Sequence, residues 1–171
     1  MAIVLRPELV PSPLWGISLH RLLPDKTWRR LRKEIVAEHD DTCDYCGAVW
    51  ETRMVCHEEW HYDDELAVAT LTGFAVSCQL CNFALHIGRA QQFDRSDEAI
   101  EQMMNLNAMS REEVRRLIAE AVLEHKARST KRWSIRIADD VVGRFPFVEG
   151  VLPESSGDPT SRRPAVPSAG S

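Results

Sequence analysis

Apolar residues at helical spacing predict most of the regular structure of this chain. Helices are expected over residues 25–37, 79–91, 96–109 and 111–128. Asp25 is a suitable cap for the first helix, whose exposed face carries several basic side chains. Ser110 and Glu113 form a capping box, which fixes the start of the last helix.

Alternation of apolar and polar residues predicts the strands. A short strand is expected over residues 53–60, and another over residues 133–137. Residues 65–76 suit either a helix or a strand, although residues 73–76 favour a strand. In an extended first strand, His57 lies on one face, and Cys56 and Glu58 lie on the other.

The ends of the chain predict little regular structure. Residues 1–24 are rich in proline, and we expect an extended arm packed on the domain without a regular element. From Pro153 onward the residues offer nothing to bury, which predicts a disordered tail over 153–171. One domain is therefore expected over residues 25–142, with its core at 43–90, a helical extension at 96–128 and a strand at 133–137.

Composition narrows the class of protein. The chain has 171 residues, of which 44% are hydrophobic and 27% charged, as expected for one globular domain of the α+β class. No long apolar run and no leader segment is present, so we expect a cytoplasmic protein without a membrane partner. The net charge of −5 disfavours general binding to polyanions, so any contact with nucleic acid must be local.

Two matched cysteine pairs carry the clearest chemistry. Cys43 and Cys46 form one C-x-x-C pair, and Cys78 and Cys81 form the other. Four thiolates in two such pairs suit one tetrahedral zinc ion in a reducing compartment. The odd fifth cysteine, Cys56, also argues against an extracellular disulfide framework. A thiol oxidoreductase is the alternative, and it would contain no zinc.

Asn82 and His86 stand four residues apart on the helix that begins at the second pair. This spacing places both on one face of the helix, one turn apart and close to the thiolates. The placement suits a second metal site. The alternative is that His57 and His86 are only structural neighbours of the zinc.

The stretch from about Cys43 to Ala90 resembles the zinc-knuckle form of the HNH endonucleases, the ββα-metal superfamily. The resemblance lies in three motifs: Cys43-x-x-Cys46-Gly47, Cys56-His57-Glu58-x-Trp60-x-Tyr62-Asp63-Asp64 and Cys78-x-x-Cys81-Asn82-x-x-x-His86. It implies hydrolysis of DNA phosphodiester bonds, with His57 as the general base. It also implies a catalytic divalent ion near Asn82 and His86, either magnesium, manganese, nickel or zinc. The four cysteines would then keep a structural zinc.

The sequence departs from that family at two signature positions. Cys56 stands where the family has an aspartate or a second histidine as a metal ligand, and the family's middle asparagine would fall near Gly73. Glu58 or a neighbouring acid could replace the missing ligand. Alternatively, His57, His86 and Cys56 could hold a softer ion, which would make His57 a ligand instead of a base.

Two functions follow from these observations. The first is a metal-dependent DNA endonuclease, with His57, Asn82, His86 and Glu58 as the catalytic residues. The second is a catalytically inactive module of the same fold that binds DNA or a protein partner. Oligomeric state is not assigned by the sequence.

Overall fold

A three-stranded sheet with helices around it forms the centre of the fold. The structure is a computed structural model, and it describes residues 4–49 and 54–157. The elements in chain order are α1 (Leu19–Leu22), α2 (Asp25–Glu38), β1 (Val55–Asp63), β2 (Val68–Ser77), α3 (Gln79–Leu85), α4 (Ile87–Gln92), α5 (Ser96–Asn107), α6 (Arg111–Arg128), β3 (Ser134–Ile137) and α7 (Asp139–Arg144). Short 3₁₀ turns occupy Ser12–Leu14 and Pro146–Val148. The α+β class predicted from the sequence is confirmed.

Strands β1 and β2 form an antiparallel hairpin, so the ambiguous segment 65–76 is mostly a strand. Asp63 begins the tight connection, because its carboxylate accepts hydrogen bonds from the main-chain N–H groups of Glu65 and Leu66. The pairing shifts between Glu59 and Trp60, where Thr72 on β2 is left as an extra residue. The hairpin therefore carries a bulge in its middle.

Strand β3 lies beside β2 and runs parallel to it, giving the sheet order β1-β2-β3. A parallel neighbour requires a long crossover, and helices α3 to α6 supply it. Trp133, at the entry to β3, is completely buried. The expected strand at residues 133–137 thus forms the third strand of the same sheet.

The chain after β3 returns to pair with that strand. Ile135 N donates to Glu154 O at 2.8 Å, and Ser156 N donates to Trp133 O at 2.8 Å. Ser156 is buried and accepts a hydrogen bond from Trp133 N through its hydroxyl group. The prediction of a disordered tail from Pro153 is therefore wrong for residues 153–157, and residues 158–171 lie outside the described part of the chain.

The N-terminal arm is part of the core. Leu5 and Leu19 are fully buried, and Leu14 is nearly so. The arm also contains helix α1 and a 3₁₀ turn, whereas the sequence predicted no regular element there. The buried apolar core includes residues of the arm and residues beyond position 142. The packed unit is therefore larger at both ends than the predicted range of residues 25–142.

The four predicted helices follow their spans with one exception, whereas α1 and α7 were not predicted. The predicted helix over 79–91 is divided at His86, whose backbone angles of −107° and 61° end α3 and precede α4. Helix α6 begins with the predicted capping box of Ser110 and Glu113. Among the described residues, no helix is both long enough and apolar enough to cross a membrane.

The two faces of the hairpin meet different helices. His20, in α1, donates its main-chain N–H to the Glu58 carboxylate at 3.1 Å. The His57 ring lies beside that of His86, at the end of α3. Since neighbouring residues of a strand point to opposite faces, α1 and His86 lie on opposite sides of the hairpin.

Candidate functional site

Four sulfur atoms form a cluster between the loop before β1 and the start of α3. The Sγ atoms of Cys43, Cys46, Cys78 and Cys81 all lie within 4.8 Å of one another. Three of these cysteines are buried and Cys46 is half-buried. The prediction that these four residues come together is confirmed, and they are close enough to bind one metal ion.

The first cysteine pair is held in a tight turn that is attached to strand β2. Gly47 N donates to Cys43 O at 2.8 Å, and Gly47 has a φ of +68°, which glycine adopts without strain. Asp44 N donates to Val76 O at 2.8 Å, and the Asp44 carboxylate accepts from Val76 N at 2.5 Å. Asp44 thus joins the first pair to the strand that leads into the second. Asp44 was not among the residues that the sequence singled out.

The second cysteine pair uses the geometry of a helix start. Cys78 caps α3, and its sulfur accepts the N–H of Cys81 at 3.5 Å. Gln102, in α5, donates to the Cys81 sulfur at 3.2 Å. The neighbouring thiols of Cys78 and Cys81 hold the pKa of Cys43 far below its usual range, and the same contacts with Cys43 raise the pKa values of Cys78 and Cys81. The cluster therefore stabilises an anionic sulfur, which is the form that binds metals.

His57 and His86 meet beside the hairpin. Their ring centroids are 5.0 Å apart and the rings are inclined by 56°. His57 is only 8% exposed, and burial, followed by the proximity of His57, lowers the pKa of His86 to about 4. Asn82 is buried on α3, where its carbonyl accepts the N–H of His86 at 3.0 Å. The structure thus brings the rings of His57 and His86 together, and Asn82 contacts His86 through its main-chain carbonyl.

Glu8, in the N-terminal arm, reaches His57. Its carboxylate Oε2 lies 2.5 Å from His57 Nε2. The main chain of the same residue is attached to the end of α3, because Glu8 N donates to Leu85 O at 2.7 Å. Sequence analysis did not identify Glu8, and a single acid 49 positions away from His57 gives no local signal of this contact.

An open cavity of about 580 Å³ borders this pair. Glu8 and His57 contribute to its wall, together with Glu59 and His61 on β1. Two arginines also line it, and each is ion-paired: Arg6 with Glu124, and Arg128 with Asp64 at 2.7 Å. The cavity thus combines an imidazole–carboxylate pair with cations already bound to acids.

Glu58 and Cys56 do not join the histidines. Glu58 is buried near α1, and burial raises the pKa of its carboxyl group despite the hydrogen bond from His20 N. Cys56 is buried too, and desolvation raises the pKa of its thiol to about 12. Both side chains belong to the face opposite His57, as the alternation of the strand requires.

Gly73 lies across the hairpin from Glu59. A Cβ atom on Gly73 would lie 3.1 Å from Glu59 Oε2, closer than ordinary van der Waals contact. The Glu59 carboxylate therefore occupies the space that a side chain at position 73 would enter. An asparagine there would require Glu59 to move.

The histidine site does not present a ready-made set of metal ligands. Within residues 4–49 and 54–157, one group of three or more thiol, imidazole or carboxylate ligands has its ligand atoms within 4.8 Å of one another. That group is the four cysteines. His57, His86 and Glu8 do not form a second such group.

Comparisons with known proteins identify no relative. No protein-family model, no curated protein and no solved structure matches the chain.

Proposed function

We propose that the protein is an HNH-like DNA endonuclease with a structural zinc ion, in which His57 is the general base. The observation that carries the proposal is the meeting of His57 from β1 with His86 from the helix that begins at the second cysteine pair. An antiparallel hairpin followed by that helix is the order expected of a ββα-metal core. The open cavity beside His57 gives a substrate room to approach.

The spacing of the thiols supports zinc as the structural metal. In a tetrahedral site with Zn–S bonds of about 2.3 Å, neighbouring sulfurs are about 3.8 Å apart. Cys46 Sγ and Cys78 Sγ are 3.8 Å apart. A site of thiolates is also suited to a reducing compartment, so we place the protein in the cytoplasm.

The proposed reaction is the attack of water on a DNA phosphodiester. The water oxygen forms a bond to phosphorus and its proton passes to His57, while the bond to the deoxyribose oxygen breaks and that leaving oxygen takes a proton from solvent. Imidazole suits this step because its unperturbed pKa is about 6.5, close to neutral pH. Arg6 and Arg128 line the same cavity and provide positive charge for a phosphate group, once it competes with their present carboxylate partners.

The resemblance also implies a catalytic divalent ion near Asn82 and His86. The side chains present do not form a three-ligand site there, so we derive no step through such an ion. The cleavage experiment below measures whether activity depends on a divalent cation.

Plasmid nicking tests the proposal. Purified zinc-loaded protein is incubated with supercoiled DNA and magnesium, manganese, nickel or additional zinc, with a metal-free reaction alongside. We expect nicking by the natural protein and a loss of roughly 10²- to 10⁴-fold in His57→Ala, the range for a general base. His20→Ala is the matched control, because its ring packs against Trp28 and neither residue lines the cavity. Absence of nicking under every condition, or equal nicking by His57→Ala, would overturn the proposal.

A second candidate is an inactive module of the same fold that binds DNA or a protein. It is favoured by the position of Cys56 on the far face of β1 and by the lack of a second ligand group in the described part of the chain. This candidate predicts one zinc per chain and no cleavage. DNA binding that weakens as salt increases would identify the partner as DNA.

A further inference from the structure

We propose that Glu8 is a positioning residue for His57, which makes the N-terminal arm part of the catalytic unit. The catalytic consequence rests on the proposed nuclease function. The pairing of Glu8 with one nitrogen of His57 does not, and it can be tested without activity.

The contact determines which nitrogen of His57 carries a proton. An ionised carboxylate only accepts hydrogen bonds, so the nitrogen facing Glu8 Oε2 at 2.5 Å must donate. That nitrogen is Nε2. A neutral His57 ring then has its free lone pair on Nδ1, so Nδ1 is the atom that would take the proton from water.

The main chain holds Glu8 in place from the side of α3. Its N–H donates to the carbonyl of Leu85, the residue directly before His86. The end of α3 therefore positions both neighbours of His57. Leu85 holds Glu8 through the main-chain hydrogen bond, and His86 is the next residue in the chain. Glu8 and His86 cannot shift independently without breaking this bond.

Asn107 holds the beginning of the arm. Its side-chain oxygen accepts from Val4 N at 2.9 Å and from Leu5 N at 3.0 Å, and its amide donates to Leu5 O at 2.7 Å. Asn107 is 5% exposed, and Leu5 is completely buried. Three hydrogen bonds and an apolar anchor thus attach the arm to the end of α5, three residues before Glu8.

Nuclear magnetic resonance of ¹⁵N-histidine protein tests the pairing. In the natural protein we expect His57 Nε2 to carry its proton, and that N–H proton to resonate far downfield because it is bonded to a carboxylate. Glu8→Ala should lose this downfield signal. Glu59→Gln is the matched control, since it alters another carboxylate of the cavity and should retain the signal.

Glu8→Gln is a second variant, for use if Glu8→Ala does not fold. It keeps the main-chain hydrogen bond to Leu85 and has nearly the same side-chain size. Because the amide oxygen of Gln is uncharged, it accepts a weaker hydrogen bond than a carboxylate does, so Glu8→Gln should move the signal back from its far-downfield position. An unprotonated Nε2 in the natural protein, or an unchanged His57 signal in both Glu8 variants, would overturn the inference.

The nicking assay gives the catalytic readout. We expect Glu8→Ala to lower kcat roughly 10- to 100-fold, the range for loss of a partner that orients a metal-bound histidine. KM should change little, because the proposed role of Glu8 is to act on His57. If the natural protein does not nick DNA, the proposed function fails and the resonance result still decides the pairing. If it nicks DNA and Glu8→Ala matches it in kcat, the positioning role fails alone.

Discussion

Neighbouring residues of β1 have different surroundings, because a strand turns successive side chains to opposite faces. His57 meets Glu8 and His86, whereas Glu58 lies near the main chain of His20. Glu58 was predicted to be catalytic, and that role is untested. Its position away from the histidines makes it a buried acid whose protonation affects folding.

We predict that Glu58→Gln makes the protein more stable relative to the natural chain as pH increases. Burial raises the folded-state pKa of Glu58 above its usual value of 4.5. The folded state therefore binds the proton more tightly, and this stabilisation is lost as pH rises above about 4.5. Each unit by which burial raises the pKa corresponds to about 1.4 kcal/mol.

Urea unfolding of both proteins between pH 5 and 8 measures this difference. Glu59→Gln, which alters an exposed carboxylate on the same strand, is the comparison. A flat difference between Glu58→Gln and the natural protein would contradict the prediction, as would an equal slope for Glu59→Gln.

We predict that Cys56→Asp does not restore a family-like metal ligand. Residue 56 is buried on the face opposite His57, so an aspartate would place a charge in the core. The cost should be on the order of 3 kcal/mol, as for an unpaired buried charge. Chemical unfolding measures this loss, with Cys56→Ala as the control for removal of the thiol. Faster metal-dependent nicking by Cys56→Asp would show that the residue reaches the site.

Helices and strands agree with the sequence prediction where the sequence signals are local. The capping box of Ser110 and Glu113 sets the start of α6, because all its hydrogen bonds lie within one turn. The division of the helix at His86 has no comparable signal, since neither glycine nor proline stands there. The strand character of residues 65–76 was likewise undecided until their pairing with β1 was known.

We predict that truncation after Leu152 lowers stability by about 2–4 kcal/mol relative to truncation after Gly157. The shorter chain loses the two main-chain hydrogen bonds and the Ser156 hydroxyl contact with β3, and it exposes the buried Trp133. Thermal and urea unfolding of the two truncated proteins measure the difference. Equal stability of the two would mean that residues 153–157 contribute nothing to the sheet.

The whole molecule depends on the cysteine cluster, because the first pair joins the loop before β1 to the helix after β2. A metal ion bound there would connect segments more than 30 positions apart in sequence. Its binding free energy would then contribute directly to folding.

We predict that the protein binds one zinc ion per chain and that Cys43→Ser loses it. Removing one thiolate ligand weakens the site, and the variant should show a large loss of folded structure by circular dichroism. Cys56→Ser is the matched control, because Cys56 lies outside the cluster and its substitution should leave one zinc per chain. Metal analysis of both variants measures the zinc content per chain. Loss of zinc from Cys56→Ser would contradict the assignment of the four clustered cysteines as the zinc ligands.

The sequence by itself determined the features whose causes are local: the helical periodicity, the capping box and the two cysteine pairs with their four potential ligands. The tertiary structure decided the contacts between distant parts of the chain. It brought Glu8 to His57, kept Glu58 and Cys56 away from the histidines, and paired residues 154–156 with β3. The physical reason is that spacing along the chain fixes only near neighbours, whereas the burial of Leu5 and Trp133 determines where the two ends of the described chain pack.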